Sequence, residues 1–265
     1  MKFSIITVNY NNKEGLQKTI ESVINQTFHD YEFIVIDGCS TDGSAEVLKE
    51  YDAQISYWVS EPDGGIYQGM NKGIAKATGE YLNFMNSGDC FYSSEILEKV
   101  SSYFSDADFI VGKDYHFNNE IKKGHTSIQP PRTTMIHFFM ATLDHQSSFI
   151  KRELFNNSLY DENHRLVSDW IFFTEKIVKE NKHVQFIPDI VCRREEGGLS
   201  EQQWQKNRKE IDQYLHQFLY PGIYDDYATL AKLDKTSLYR LFCMIEDNKK
   251  RKLLVFCIKL ITKLF

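Results

Sequence analysis

Short apolar runs alternate with segments of helical periodicity over the first ninety residues. Phe3-Ser4-Ile5-Ile6-Thr7-Val8 reads as a buried strand, and Asn9-Tyr10-Asn11-Asn12 as the polar loop after it. Leu16, Ile20, Val23 and Ile24 then fall on one face of a helix. Tyr31 to Ile36 is the next strand, and Gly38-Cys39-Ser40-Thr41-Asp42-Gly43 is a turn rich in helix-starting residues. A helix follows through Val47 and Leu48, then a third strand from Ile55 to Val59. Ile66, Met70, Ile74 and Ala77 return to helical spacing until Gly79, and Tyr81 to Met85 is the fourth strand. Strand–helix alternation of this kind predicts an α/β fold: a mainly parallel central sheet with helices on both faces.

The rhythm becomes less regular beyond Asp89. Ile96 to Phe104 reads as a helix, Asp108 to Gly112 as a short strand, and Asn118 to Arg132 as a loop or hairpin. Ser147 to Ile150 and Val184 to Val191 read as strands, with a helix through Trp170, Phe173 and Ile177 between them. From Glu201 the chain turns helical, Pro221-Gly222 breaks it, and Thr236 to Phe265 is one or two further helices.

Two of the predicted strands run into an acid, Asp37 after Phe33-Ile34-Val35-Ile36 and Asp89 after Tyr81 to Gly88. Carboxylates at the carboxyl ends of buried strands share one rim of the sheet, where open α/β sheets bind ligands. Such acids suit a nucleotide base or ribose and a divalent metal held on phosphates. Composition changes this picture little, and a net charge of −6 argues against a nucleic-acid partner. The charge is uneven, however. Lys249, Lys250, Arg251, Lys252, Lys259 and Lys263 stand in a segment without acids, so a total of −6 that includes these six cations leaves −12 on the body. The five cysteines show no metal or redox spacing, which points to a reducing, cytoplasmic setting. No secretory signal and no membrane-spanning run of about 18 apolar residues is expected.

Five short motifs stand in one order: Thr7-Val8-Asn9-Tyr10-Asn11, Val35 to Gly43, Ser60-Glu61-Pro62-Asp63-Gly64-Gly65-Ile66-Tyr67, Met70-Asn71-Lys72-Gly73 and Ala77-Thr78-Gly79-Glu80-Tyr81. Over residues 2–200 the chain resembles the family 2 glycosyltransferases, inverting enzymes of the GT-A fold. The resemblance implies a nucleotide-diphosphate-sugar site. Thr7, Asn9, Tyr10, Asp37, Asp63, Asn71, Ser87 and Gly88 are its expected residues, with Asp37 as the acid that hydrogen-bonds the base. For Asp37 the competing reading is an Asx turn or helix cap before Ser40; for Asp63 it is a plain turn within Pro62-Asp63-Gly64-Gly65.

Asn86-Ser87-Gly88-Asp89 occupies the place of the family's acidic metal motif but keeps only its last acid. Asp89 is the expected ligand of Mg²⁺ or Mn²⁺, ions that need only one or two carboxylates once phosphates and water complete the shell. His145, in Leu143-Asp144-His145-Gln146-Ser147, is a candidate second metal ligand, with a pyrophosphate contact or a structural hydrogen bond as alternatives. Asp169 stands where the family places the general base that an inverting transfer requires, and where the helix macrodipole alone would favour an acid. Trp170 is read either as a sugar platform or as core, and Arg193 and Arg194 either as diphosphate contacts or as solvated charge.

Residues 1–220 are assigned to the GT-A domain, 1–92 to its nucleotide-sugar half and 93–220 to its acceptor half, and 221–265 to a helical extension. The resemblance implies transfer from a nucleotide diphosphate sugar, foremost a UDP-sugar, to a saccharide or lipid-linked acceptor in cell-surface polysaccharide synthesis, whether capsule or lipopolysaccharide. The basic apolar tail, 249–265, fits either the inner membrane surface or a protein partner. A non-catalytic nucleotide-sugar or glycan-binding module and a nucleotidyltransferase are the other classes compatible with these residues. Sugar, linkage and oligomeric state are open at this point.

Overall fold

β1 (Phe3–Asn9) is buried along its whole length and pairs in parallel with β2 (Tyr31–Asp37) on one side and β4 (Tyr81–Phe84) on the other. β3 (Tyr57–Ser60) extends this parallel set beyond β2. The structure, a computed structural model, describes residues 2–103, 106–130, 132–195, 203–234 and 252.

The central strands are apolar on both sides because helices cover both faces. On one face, Phe3, Ile5, Phe33 and Val35 pack with Leu16, Ile20 and Val23 of α1 (Lys13–Ile24), Val47 and Leu48 of α2 (Ser44–Glu50), and Ile96, Leu97 and Val100 of α4 (Ile96–Ser102). On the other face α3 (Ile66–Lys76) lies close against β1. Glycines permit that approach: a Cβ on Gly69 would come within 2.7 Å of Val8 Cγ1, and one on Gly73 within 2.5 Å of Ile6 Cγ2. The same side holds an aromatic cluster in which Phe155 stacks on Phe172 at 4.4 Å and Tyr160 meets Phe84 edge-on.

One sheet runs through both residues 1–92 and residues 93–220, with the strand order β3-β2-β1-β4-β8-β6-β9-β5. β8 (Ser148–Lys151) pairs antiparallel with β4 and with β6 (Phe109–Asn118). β9 (Val184–Glu195) runs parallel to β6 through register shifts around Lys113, and β5 (Cys90–Phe91) pairs antiparallel with β9. The parallel set foreseen for the first ninety residues is therefore joined to a mixed second half. The polar stretch after Asn118 forms a hairpin in which β7 (Lys123–Thr126) returns on β6.

α5 (Met135–Met140) and α6 (Ser168–Phe173) complete this part, and α6 continues as a π-helical segment over Thr174–Lys179. Trp170 is buried, and its indole N–H donates to Phe138 O and Ala141 O at 2.9 and 3.1 Å. It is a core residue that ties α6 to α5, not a sugar platform. The chain divides into two units, Met1–Gln213 and Tyr214–Phe265, so the division falls within α7 (Trp204–Phe218), ahead of the break foreseen at Pro221. Pro221 itself opens α8 (Pro221–Asp234), a first-turn position that its fixed φ suits. No helix among the described residues is long and apolar enough to cross a membrane. The basic tail over 249–265 lies outside the described residues, apart from Lys252.

Candidate active site

β1 leads through α1 to β2 on one side, while β4 lies on its other side, so the chain changes direction across β1. Loops leaving neighbouring strands in opposite directions open a crevice at their carboxyl ends. A cavity of about 1140 Å³ lies there, lined by the ends of β1 (Asn9, Tyr10), β2 (Gly38, Cys39), the β3–α3 loop (Asp63 to Tyr67) and the β4 loop (Asn86, Ser87, Asp89). His145, Gln146, Arg165, Arg194 and Lys206 line it from the second half of the unit.

The expected nucleotide residues divide into those on the cavity wall and those behind it. Asn9, Tyr10, Asp63 and Ser87 line the cavity, and Tyr10 is 68% exposed. A side chain on Gly38 would press on both Asp63 and Tyr10, so glycine there keeps the space between ring and carboxylate open. Asp63 also accepts from Gly65 N–H at 3.0 Å and so closes its own turn. Gly88, with φ of +102°, turns the backbone between Ser87 and Asp89. Thr7 is buried and donates to Met85 O at 2.6 Å. Asn71 bridges Tyr160 and Glu162 and fastens α3 to the loop before α6.

Asp37 is fully buried behind the wall. Asn9 Nδ2 and Ser40 Oγ donate to its Oδ1 at 2.7 and 2.6 Å; Ser40 N–H and Ser60 Oγ donate to its Oδ2 at 2.9 and 2.6 Å. Burial pushes this carboxyl up, and the four hydrogen bonds outweigh it and hold it below the ordinary carboxylate value. Through these contacts Asp37 anchors the Gly38–Gly43 turn, which sets where Asn9 and Gly38 meet the cavity.

Asp89 has a different environment. Gln146 Nε2 donates to its Oδ2 at 3.1 Å, and no hydrogen bond reaches Oδ1 among the described residues. Burial pushes its carboxyl up, against the partial compensation of His145, Gln146 and Arg194. A wall carboxylate short of partners and of positive charge fits a hard divalent cation, which binds oxygen donors and brings water and phosphate oxygens with it.

His145 is hydrogen-bonded at both ring nitrogens, Nδ1 to Asp169 Oδ2 at 2.9 Å and Nε2 to Asn86 Nδ2 at 3.1 Å. His145, the expected second metal ligand, thus links the β4 loop to α6. Asp169 further accepts from the Tyr67 hydroxyl at 2.7 Å and from Trp170 N–H at 2.9 Å. Burial raises its carboxyl, but the contacts with His145, Tyr67 and Trp170 prevail and hold it down. Tyr67 is pushed well above its usual value by burial and by Asp169, so it keeps its proton and donates.

A cluster with one buried and two partly buried members, not evident in the sequence, meets the cavity-wall residue Arg194. Ligand atoms of Asp114, His116 and Asp144 lie within 4.8 Å of one another, a spacing that a metal ion could bridge. The Arg194 guanidinium stands among them, 3.3 Å from Asp114 and 3.6 Å from Asp144, and supplies positive charge there. Burial, with Asp144 and Asp89 adding to it against Arg194, pushes the Asp114 carboxyl up to about 9. Neither the Asp114 nor the His116 position falls in a motif; β6 brings both to the site.

The model of the family described as Glycosyl transferase family 2 matches residues 4–182. The chain belongs to that family. This family 2 member is 34% identical over 155 residues to an uncharacterized glycosyltransferase of Mycobacterium tuberculosis, covering 57% of this chain and 59% of that protein. It thus spans little more than half the length of the first curated relatives it matches. A PGL/p-HBAD biosynthesis glycosyltransferase of Mycobacterium bovis is 26% identical over 210 residues, 75% of this chain and 78% of the relative. Among solved structures, Staphylococcus aureus TarS 1–349 in complex with UDP-GlcNAc superposes with a TM-score of 0.67 at 18% identity, over 95% of this chain and 78% of the other. Mannosyltransferase PcManGT from Pyrobaculum calidifontis, in complex with GDP-Man and Mn²⁺, gives 0.59 at 14% identity, over 96% and 85%. The GT-A fold foreseen from the motifs is the fold of this family 2 member.

Proposed function

We propose that this glycosyltransferase moves a sugar from a nucleotide diphosphate sugar, foremost a UDP-sugar, to a saccharide or lipid-linked saccharide acceptor with inversion at the sugar carbon. One observation carries the reading: the cavity at the β1/β4 switch point joins an exposed aromatic and Asp63 at one part of its wall to the under-compensated Asp89 at another. Tyr10 and Asp63 take the nucleoside, and Asn9, Ser87 and Gly88 border the diphosphate. TarS and PcManGT, bound to UDP-GlcNAc and to GDP-Man with Mn²⁺, lend support to the donor class.

Asp89 would hold Mg²⁺ or Mn²⁺, which supplies charge stabilisation to the departing diphosphate. Arg194 adds positive charge on the same wall. An attacking hydroxyl must lose its proton as it reacts, and the hydrogen-bonded Asp169–His145 pair is the acid–base unit that serves this step. A cytoplasmic protein peripheral to the inner membrane face, working in cell-surface polysaccharide synthesis, accords with the basic tail sequence and with the PGL/p-HBAD biosynthesis named for the mycobacterial relative.

A thermal-shift panel of UDP- and GDP-sugars with and without Mn²⁺ tests the donor. A ligand at about 100 times its Kd adds roughly 2.7 kcal/mol of stability, several degrees in Tm for a protein of this size. At least one UDP-sugar is expected to give that shift with Mn²⁺ present. A panel in which no nucleotide sugar moves Tm refutes the proposal.

A further inference from the structure

The cavity wall carries paired and unpaired cations. Among the described residues, its arginine and lysine members are Arg165, Arg194 and Lys206. Arg194 is paired with Asp114 and Asp144. The Arg165 side chain makes no hydrogen bond and no ion pair among the described residues. That of Lys206 meets only Gln203 Oε1, at 3.5 Å. Two acids stand in the same part of the wall, and both are turned to neutral donors. Glu162 accepts from Gln68 Nε2 at 2.8 Å and from Asn71 Nδ2 at 3.0 Å, and Glu210 accepts from Leu166 N–H at 3.4 Å. An unused guanidinium and an unused ammonium on a concave wall are complementary to phosphate or carboxylate oxygens.

The backbone brings these two cations to one place. Glu210 holds the amide of Leu166, the neighbour of Arg165. Lys206 precedes Glu210 by one helical turn of α7 and so shares its face. The chain from Glu162 to Asp169 is fastened at both ends to adjacent residues of α3, Glu162 to Gln68 and Asp169 to Tyr67. Arg165 stands midway along that span. The unpaired cations therefore belong to the side of the cavity where Asp169 meets His145. The residues proposed for nucleoside and diphosphate come instead from the ends of β1 and β4 and from the β3–α3 loop. In the transfer reading the donor diphosphate already receives positive charge from Arg194 and from the cation at Asp89.

We propose that Arg165 and Lys206 form an anion subsite for the acceptor, and that the acceptor bears a phosphate or a carboxylate close to the sugar whose hydroxyl reacts. This deepens the glycosyl-transfer reading and rests on it. Arg165 offers a planar fork that grips two oxygens of such a group at once, and Lys206 adds a point charge beside it. An anion held there fixes the register in which the acceptor hydroxyl meets the Asp169–His145 pair, and a neutral saccharide lacks that anchor. A phosphate that links the acceptor sugar to a lipid and the carboxylate of a uronic acid are the two sources of such a group.

Calorimetry on the full chain, saturated with UDP and Mn²⁺, tests the subsite with three probes. They are octyl glucoside, octyl glucuronide and glucose joined to an octyl chain through a diphosphate, each kept below its micellar concentration. One anionic probe should bind at least about tenfold more tightly than the neutral glucoside, and which one does so assigns the group as phosphate or carboxylate. Arg165→Gln and Lys206→Gln should each remove most of that preference and leave the affinity for UDP within about twofold of wild type. Lys209→Gln changes an exposed cation of α7 outside the cavity wall and should leave both quantities unchanged. Equal uptake of all three probes, or a preference that Lys209→Gln reduces as much as the other two variants do, would overturn the subsite. Arg165→Gln or Lys206→Gln weakening UDP by about tenfold would also overturn it and give these cations to the donor. A wild-type protein that takes up neither UDP nor any nucleotide sugar fails before a probe is added; that result would overturn the transfer reading itself, and this inference with it.

Discussion

Asp37→Asn separates the structural role of this acid from direct recognition of a base. The wild-type carboxylate accepts four hydrogen bonds, two at each oxygen, in a site closed to solvent. An amide keeps one acceptor and turns the other into a donor. If the donor took the Oδ2 place it would face the Ser40 N–H, which cannot turn. In the other orientation it faces Asn9 and the Ser40 hydroxyl, both of which can reorient. The second arrangement is therefore the cheaper one. Even so, the remaining bonds lose their charge assistance, and bonds to charged groups contribute about 1.5–3 kcal/mol each against about 1 for neutral ones. A loss of roughly 2–4 kcal/mol follows, or about 4–16 °C in Tm at this chain length.

The carboxyl is held down in the folded state, so its stabilising contribution is present above the unfolded value of about 3.9 and is lost as pH falls below it. The gap between wild type and Asp37→Asn should accordingly be full at pH 7 and narrow below pH 4. Urea unfolding of both proteins at pH 7 and at pH 3.5 measures it. A variant as stable as wild type at pH 7, with only its affinity for uridine nucleotides reduced, would refute the anchoring argument and restore Asp37 to the base-binding role.

Gly73→Ala places a methyl against the fully buried Ile6 and should cost about 1–3 kcal/mol, read as a lower urea midpoint with an unchanged m-value; a midpoint equal to wild type would show that α3 has room. Asp114→Asn removes a carboxyl whose folded pKa is raised to about 9. Such a group stabilises fully below its unfolded value and loses that contribution as pH rises toward 9, so the stability of the variant relative to wild type should climb between pH 5 and pH 8. The opposite slope would place Asp114 among the ionised acids. Truncation after Asp247 should release the protein from anionic liposomes and leave UDP binding intact, whereas unchanged liposome binding would assign membrane contact elsewhere.

The nucleotide-side half of the fold was legible because each strand and helix there is set by local pattern. Buried runs ending in polar loops gave β1 to β4, and helical spacing gave α1 and α3. Asp63, Ser87 and Asp89 could be found for the same reason, since a residue that follows a parallel strand must emerge at the sheet's rim. Pattern did not say whether an acid at that rim turns outward or back. Asp37 turns back because Asn9 and Ser60, at the ends of β1 and β3, and Ser40, in the turn after β2, all present donors to it. The second half was hard to read because its pairings join distant segments, β6 with β9 across a register shift and β4 with β8. The Asn86–His145–Asp169–Tyr67 chain was invisible for the same reason: its members come from the β4 loop, the turn before β8, and the starts of α6 and α3. Trp170, polar at one edge of an apolar ring system, fitted a sugar platform or a core until its indole N–H was seen to bridge two carbonyls of the α5 end.

Titration calorimetry of UDP into the wild-type protein and Asp89→Asn, each with Mn²⁺ and with EDTA, reaches the central claim most directly. Wild type should bind UDP at least about tenfold more tightly with Mn²⁺, a difference of about 1.4 kcal/mol, and the variant should show no such gain. Equal UDP affinity in all four titrations would contradict a cavity in which Asp89 holds the nucleotide through a cation.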